Sequence, residues 1–235
     1  YNDILRYKPE VPAWEDRDYV VLSKGHSGPS LYAALALHGF FDKELLYTLN
    51  EGGTSLPSHP DRLRTPGVDA TTGSLGQGTS VGMALRKEGR SGQKVYLIVG
   101  DGELNEGQCW EAFQFLAHHK LHEVIVIIDY NKRQLDGKLT DIITPFDFHK
   151  KMESFGFRVF DADGREESSI DEALKAAGQV TDSAVCVLLD TVKAQGVPYY
   201  IEREDSHAPK FDAKAKEELD KTIQALEQYV AEGGR

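Results

Sequence analysis

Two oxygen-bearing side chains stand where two short apolar runs end. Val95–Val99 leads into Gly100-Asp101-Gly102, and Val124–Ile128 leads into Asp129-Tyr130-Asn131, with a helix-sized connection between them. Short β-branched runs of this kind read as buried strands, and a strand, a helix and a parallel strand bring Asp101 and Asn131 to one edge of one sheet. A carboxylate and an amide oxygen are hard donors, and the neighbouring glycines let a ligand approach the backbone. Such a pair suits a magnesium ion holding a diphosphate.

The elements that must position this pair follow from periodicity and punctuation. Tyr19–Ser23 reads as a short buried strand, followed by a Lys24-Gly-His26-Ser-Gly28 loop and a helix opening at Pro29 and closing before Gly39. Residues 50–68 form a long loop, rich in Gly, Ser and Pro, that carries His59. A glycine-dense turn over 70–82 leads into a helix expected over Thr79–Lys87. Further strands are expected at Phe157–Asp161 and Ala184–Asp190, with a helix from Ser169 to Gly178 between them. Strands alternating with helices predict an α/β fold with a doubly wound parallel sheet. The chain divides into a domain over 1–210 and an amphipathic helix over 211–235, capped by Asp212 and carrying Leu219, Ile223, Leu226 and Val230 on one stripe. That stripe is expected to pack on the domain or on a partner.

Bulk properties narrow the class. With 235 residues, 40% apolar and 28% charged, the chain has the composition of an ordinary globular protein. A formal charge of −11 and the lack of a basic block argue against a nucleic-acid partner. Two cysteines imply no disulfide framework and fit a reducing cytoplasm. No apolar run approaches the roughly 20 residues that cross a bilayer. Tyr1–Arg17 reads as sequence from within a domain, which points to a segment upstream.

Several motifs, taken in order, carry a family resemblance. They are Leu22-Ser-Lys-Gly-His26, Ser58-His-Pro60, Thr71-Thr-Gly-Ser-Leu-Gly-Gln-Gly78, Gly100-Asp-Gly-Glu-Leu-Asn-Glu-Gly107 and Leu135-Asp-Gly137. With 28 residues between Gly102 and Asn131, the chain resembles the thiamine-diphosphate enzymes, and the full series resembles transketolases from about Asp16 to His207. It is similar to the diphosphate-binding, N-terminal subunit of a split transketolase, because it stops where a pyrimidine-binding domain would begin.

The resemblance implies roles. Asp101, Asn131 and the backbone carbonyl of Arg133 would ligate Mg2+. Gly102 would leave room for the diphosphate, beside the N-terminus of a helix starting near Glu103. Gly73, Ser74 and Leu75 match the segment along the cofactor rings, with Ser74 in place of the usual proline. Glu103 and Leu135 join the cofactor-binding set. His26, His59 and His207 match catalytic histidines of the substrate channel, and His26 and His207 also fall in the cofactor set. The family has glycine after the last histidine, where this chain has Ala208. Glu106 matches a glutamate where two subunits meet; on its own terms it is an exposed carboxylate in the first turn of a helix. His118 and His122, four apart, would share a helix face without completing a zinc site. Cys109 reads as a small buried hydrophobe.

By resemblance the reaction is transfer of a two-carbon glycolaldehyde unit from a ketose phosphate to an aldose. The glutamate that protonates the cofactor and the arginines that hold sugar phosphate belong to the pyrimidine-binding domain. The expected assembly is therefore a heterotetramer of two copies with two copies of a C-terminal transketolase subunit. Competing readings are the equivalent subunit of a 2-oxo acid dehydrogenase or deoxyxylulose-phosphate synthase, and a non-catalytic assembly protein. A nicotinamide oxidoreductase is disfavoured, because Gly73, Gly76 and Gly78 do not make a dinucleotide fingerprint.

Overall fold

The computed structural model describes residues 1–85, 92–135, 137–201, 203 and 206–233. Five strands form one parallel sheet: β1 (Tyr19–Leu22), β2 (Val95–Gly100), β3 (Val124–Tyr130), β4 (Arg158–Asp163) and β5 (Val185–Asp190), in the order β1-β2-β3-β5-β4. Registers of Gly100 with Asp129 and of Tyr130 with Asp190 align the carboxyl ends of the three inner strands. The parallel α/β fold expected from the alternating elements is present.

The helices are α1 (Gly28–Leu37), α2 (Gln77–Leu85), α3 (Gly107–His118), α4 (Phe148–Phe155), α5 (Glu167–Gly178) and α6 (Ala213–Ala231), with single turns at Leu139–Ile142 and Pro198–Ile201. One sheet face packs Leu97, Val126 and Ile128 against Phe113 of α3 and Met152 of α4. The opposite face packs Ile125, Ile127 and Val185 against Ala173 and Ala177 of α5. Each large apolar side chain taken from water in this way contributes about 1.5–3 kcal/mol. The chain moves one way across the sheet from β1 to β4 and turns back to reach β5. Right-handed crossovers place α5 on the other face for that reason.

Local chemistry sets the ends of these elements. Pro29 stands in the first turn of α1, and Gly39, just past its cap, has φ +82°. Gly82 lets α2 sit on β2, since a Cβ there would lie 3.3 Å from Leu97. The helix expected over Thr79–Lys87 is α2; Lys87 lies outside the described residues. Helix α4 is an addition to the elements expected from the sequence. The side chain of Asp147 accepts from the Lys150 amide (3.1 Å) at its start, and Gly156 closes it at φ +96°. Helix α6 is anchored at its N-terminal end by buried Ala215, whereas Ile223, Leu226 and Val230 are exposed. No helix among the described residues is long and apolar enough to cross a membrane.

Candidate functional site

The carboxyl ends of β2, β3 and β5 open onto a cavity of about 630 Å³. Asp101 follows β2, is only 1% exposed, and receives its hydrogen bonds from the backbone: Gly102 N donates to Oδ1 (2.8 Å) and Lys132 N to Oδ2 (2.6 Å). Lys132 itself takes a left-handed conformation, φ +66°, as the chain turns at this point. Asn131, the residue before it, accepts from Arg133 N at Oδ1 (3.1 Å) and donates from Nδ2 to Asp129 Oδ2 (3.3 Å). Asp129 in turn is ion-paired with Lys24 and accepts from the Thr191 hydroxyl. Burial pushes the Asp101 carboxyl up to about 6, against the pull of the two amides. Burial also raises Asp129, but Lys24, Thr191 and Asn131 outweigh it and hold that carboxyl below the usual range.

Glu103, 2% exposed, ties three segments together. Its Oε1 accepts from the Ser23 hydroxyl and from Gly76 N (2.8 Å), and its Oε2 accepts from Gly100 N (3.1 Å). The glycine turn is pinned to the strand ends in this way. A Cβ on Gly25 would fall 2.8 Å from Gly73 N, so the histidine loop and the glycine turn meet backbone to backbone. His26 and His207 line the cavity with ring centroids 5.4 Å apart, and Lys193 Nζ lies 3.0 Å from His207 Nδ1. Partial burial, then the nearby Lys24, His207, Lys193 and His59, bring the His26 imidazole down to about 4.

A family model described as "Transketolase, thiamine diphosphate binding domain" matches residues 1–227. The chain belongs to this transketolase family.

Named relatives agree. The 6-deoxy-6-sulfo-D-fructose transketolase subunit SqwG of Clostridium sp. (strain MSTE9) is 45% identical over 202 residues, which is 85% of this chain and 74% of that protein. An apulose-4-phosphate transketolase subunit from Actinobacillus succinogenes is 36% identical over 217 residues, 90% of this chain and 78% of that protein. Among solved structures, the transketolase of Campylobacter jejuni matches with a TM-score of 0.76 at 32% identity, over 86% of this chain and 33% of its own. That of Leishmania mexicana matches with a TM-score of 0.76 at 26% identity, over 98% of this chain and 41% of its own. The chain thus spans less than half of those two transketolases.

In this transketolase domain most of the residues singled out from the sequence gather at one cavity. Its lining includes His26, Gly73, Leu75, Asp101 and Gly102 from the first half, and Asn131, Arg133, Leu135 and His207 from the second. Glu103 also lines it, with its carboxylate committed to the internal bonds above. His59 and Ser74 do not line it. His59 is exposed beside Gly73, where a Cβ would come within 3.2 Å of its ring, and Ser74 is also exposed. Asp136, inside the Leu135–Gly137 motif, and Asp205, two positions before His207, lie outside the described residues.

Two local expectations need correction. Glu103 opens a 3-10 turn, Glu103–Asn105, and the α-helix begins at Gly107, so the α-helix N-terminus stands four residues beyond Glu103. At Gly102 a Cβ would lie 2.7 Å from Gln134 Cβ, so the short hairpin after β3 adds a reason of its own for glycine there, beside the cavity that Gly102 lines. His118 ends α3 and His122 lies in the turn beyond it, so the two share no helix face. Glu106 is exposed at the N-cap of α3, and Cys109 is fully buried, as expected.

Sequence reasoning assigns no role to Lys24, Asp129, Gln134, Thr191 or Lys193. A signal for Asp129 exists, since it is an acidic residue ending a buried strand two positions before Asn131. Lys193 carries no local signal, because only the fold brings it beside His207.

Proposed function

We propose that this chain is the thiamine-diphosphate-binding part of a split transketolase, working with Mg2+ to transfer a two-carbon glycolaldehyde unit from a ketose phosphate to an aldose. The observation that carries this reading is the meeting of Asp101 and Asn131 on adjacent strand ends, bridged by the Lys132 amide. Among the described residues no three His, Cys, Asp or Glu side chains converge as a metal site. Mg2+ needs no such cluster: it takes few protein oxygens and completes its octahedron with phosphate oxygens and water. Asp101, the Asn131 amide oxygen and the Arg133 carbonyl form an oxygen-only set that fits this habit.

Thiamine diphosphate, when bound, supplies a carbanion nucleophile. The chain's own residues do the rest on this side of the site. Gly73 and Leu75 border the space for the cofactor rings, next to Ser74, and Leu135 gives the cavity an apolar edge. Lys24 and Lys193 add positive charge suited to a diphosphate. His26 and His207 line the cavity, His59 stands beside the glycine turn, and the three would exchange protons with substrate oxygens. The Lys193 ammonium can only donate to His207 Nδ1, so the proton of the neutral ring sits on Nε2.

The glutamate and the sugar-phosphate arginines come from a C-terminal, pyrimidine-binding subunit, in an assembly of two plus two. Relatives named as transketolase subunits support a divided enzyme. Their names specify a sulfonated ketose in one case and a phosphorylated sugar in the other. The substrate class is accordingly a ketose with a strong acid at its far end.

Calorimetry on the chain with its partner subunit tests the reading. Thiamine diphosphate should bind only when Mg2+ is present, and Asp101→Ala should weaken it at least about tenfold, as loss of a metal's protein partners does. No magnesium-dependent binding by the wild-type assembly would sink the proposal.

A further inference from the structure

We infer that Asp129 is a positioning residue that selects which end of the Asn131 amide faces the metal. The inference rests on the magnesium–diphosphate reading above. An asparagine side chain has an oxygen end and a nitrogen end of nearly equal shape, and only the oxygen ligates Mg2+. Half a turn about the last side-chain bond would remove the ligand without moving the backbone.

Two partners of one-way chemistry prevent that turn. The ionised Asp129 carboxylate can only accept, and it takes Asn131 Nδ2–H at 3.3 Å. The Arg133 amide can only donate, and it gives to Asn131 Oδ1 at 3.1 Å. A flipped amide would set oxygen against oxygen at one end and N–H against N–H at the other. The remaining lone pair of Oδ1 stays available to a cation.

Asp129 can act as this selector because it is itself held. Lys24, from the loop after β1, pairs with Oδ2, the oxygen that also meets Asn131. Thr191, at the end of β5, donates to Oδ1. The Asp129 carbonyl accepts from Asp101 N (3.2 Å), which ties the selector to the other proposed ligand. Residues from three strand ends thus fix the rotation of one amide group. Outer partners of this kind commonly govern ligand orientation at metal sites.

A double-mutant cycle read by Mn2+ electron paramagnetic resonance tests the inference, using thiamine diphosphate and the assembly of this chain with its partner. Asp129→Asn should weaken Mn2+ binding about 10–100-fold, the usual cost of losing an outer-shell partner. The variant Asn131→Asp has two equivalent oxygens and no wrong end. In that background Asp129→Asn should cause no further weakening, because there is nothing left to select and a carboxylate repulsion is relieved. Circular dichroism establishes that each variant is folded. Should Asp129→Asn not fold, Thr191→Val, which loosens Asp129 from one side, runs through the same cycle with a smaller effect of the same sign. Equal weakening in both backgrounds would assign Asp129 a merely structural role and overturn the inference, as would undiminished binding by Asp129→Asn alone. Failure of the wild-type assembly to bind Mn2+ would instead remove the magnesium reading itself.

Discussion

At the residue scale the histidines show how much the cavity changes ordinary chemistry. His26 opens to solvent on one side, yet partial burial, then Lys24 and the nearby His207, Lys193 and His59, bring its pKa from 6.5 to about 4. Neutral imidazole can both donate and accept, which suits proton exchange with a hydroxyl. Because the folded value lies below the unfolded one, the unfolded chain binds the extra proton between them. Stability from this group is complete above about pH 6.5 and is lost as pH falls toward 4. A proton NMR titration should find the His26 ring still neutral at about pH 5.5, and a midpoint near the ordinary histidine value of about 6.5 would contradict the geometry. Asp101 and Asn131 are legible in the sequence because each stands at the end of an apolar run that locates it. Asp129 and Lys193 are not, since their roles rest on partners such as Thr191 and His207 that only the fold brings near.

At the element scale the site depends on a loop and a turn meeting with nothing between their backbones. The Lys24–His26 loop approaches Thr72–Gly73 so closely that a methyl at Gly25 would lie 2.8 Å from Gly73 N and from the Thr72 carbonyl carbon. Thr72 is fixed in place, donating from Oγ1 to Leu22 O (2.7 Å) and from its amide to Pro60 O (3.2 Å). The loop cannot yield without breaking those bonds. Gly25→Ala should therefore destabilise the fold by about 1–3 kcal/mol, the usual cost of overpacking. Urea denaturation measures it, and an unchanged midpoint would show the contact to be slack. The strands are readable for the opposite reason, since buried parallel strands write themselves as short β-branched runs. Helix α4 is harder to see. Its apolar Phe148, Met152 and Phe155 fall at helical spacing, but eight residues hold too few repeats to stand out. The start of α3 is misleading because Glu103 looks like a first-turn acid, whereas its carboxylate bridges Ser23, Gly76 and Gly100.

At the scale of the whole molecule the sheet makes its inner strands accessible only by global opening. Strand β5 lies between β3 and β4, and Cys186 on it is completely buried in the cluster that also holds Val126, Ile128 and Met152. Burial raises its thiol well above the ordinary value, and nearby Asp161 adds to the effect. Cys109 on α3 is pushed up to about 12 by burial and by Glu103 and Glu106. Thiolate is the reactive form, so neither residue offers a nucleophile in the native state near neutral pH. The two should differ in how they become exposed. Cys109 is carried on α3 and follows that helix, whereas Cys186 lies on the sheet face beneath Met152 and is reached only when α4 leaves the sheet. Local opening costs less than global unfolding, and central strands sit at the global limit. In a thiol-labelling experiment at increasing urea, resolved by mass spectrometry of the two peptides, Cys186 should react only at the rate set by global unfolding. Cys109 should react at that rate or faster. Labelling of Cys186 in the absence of denaturant, at a rate near that of a free thiol, would mean that the helix layer lifts from the sheet without global unfolding.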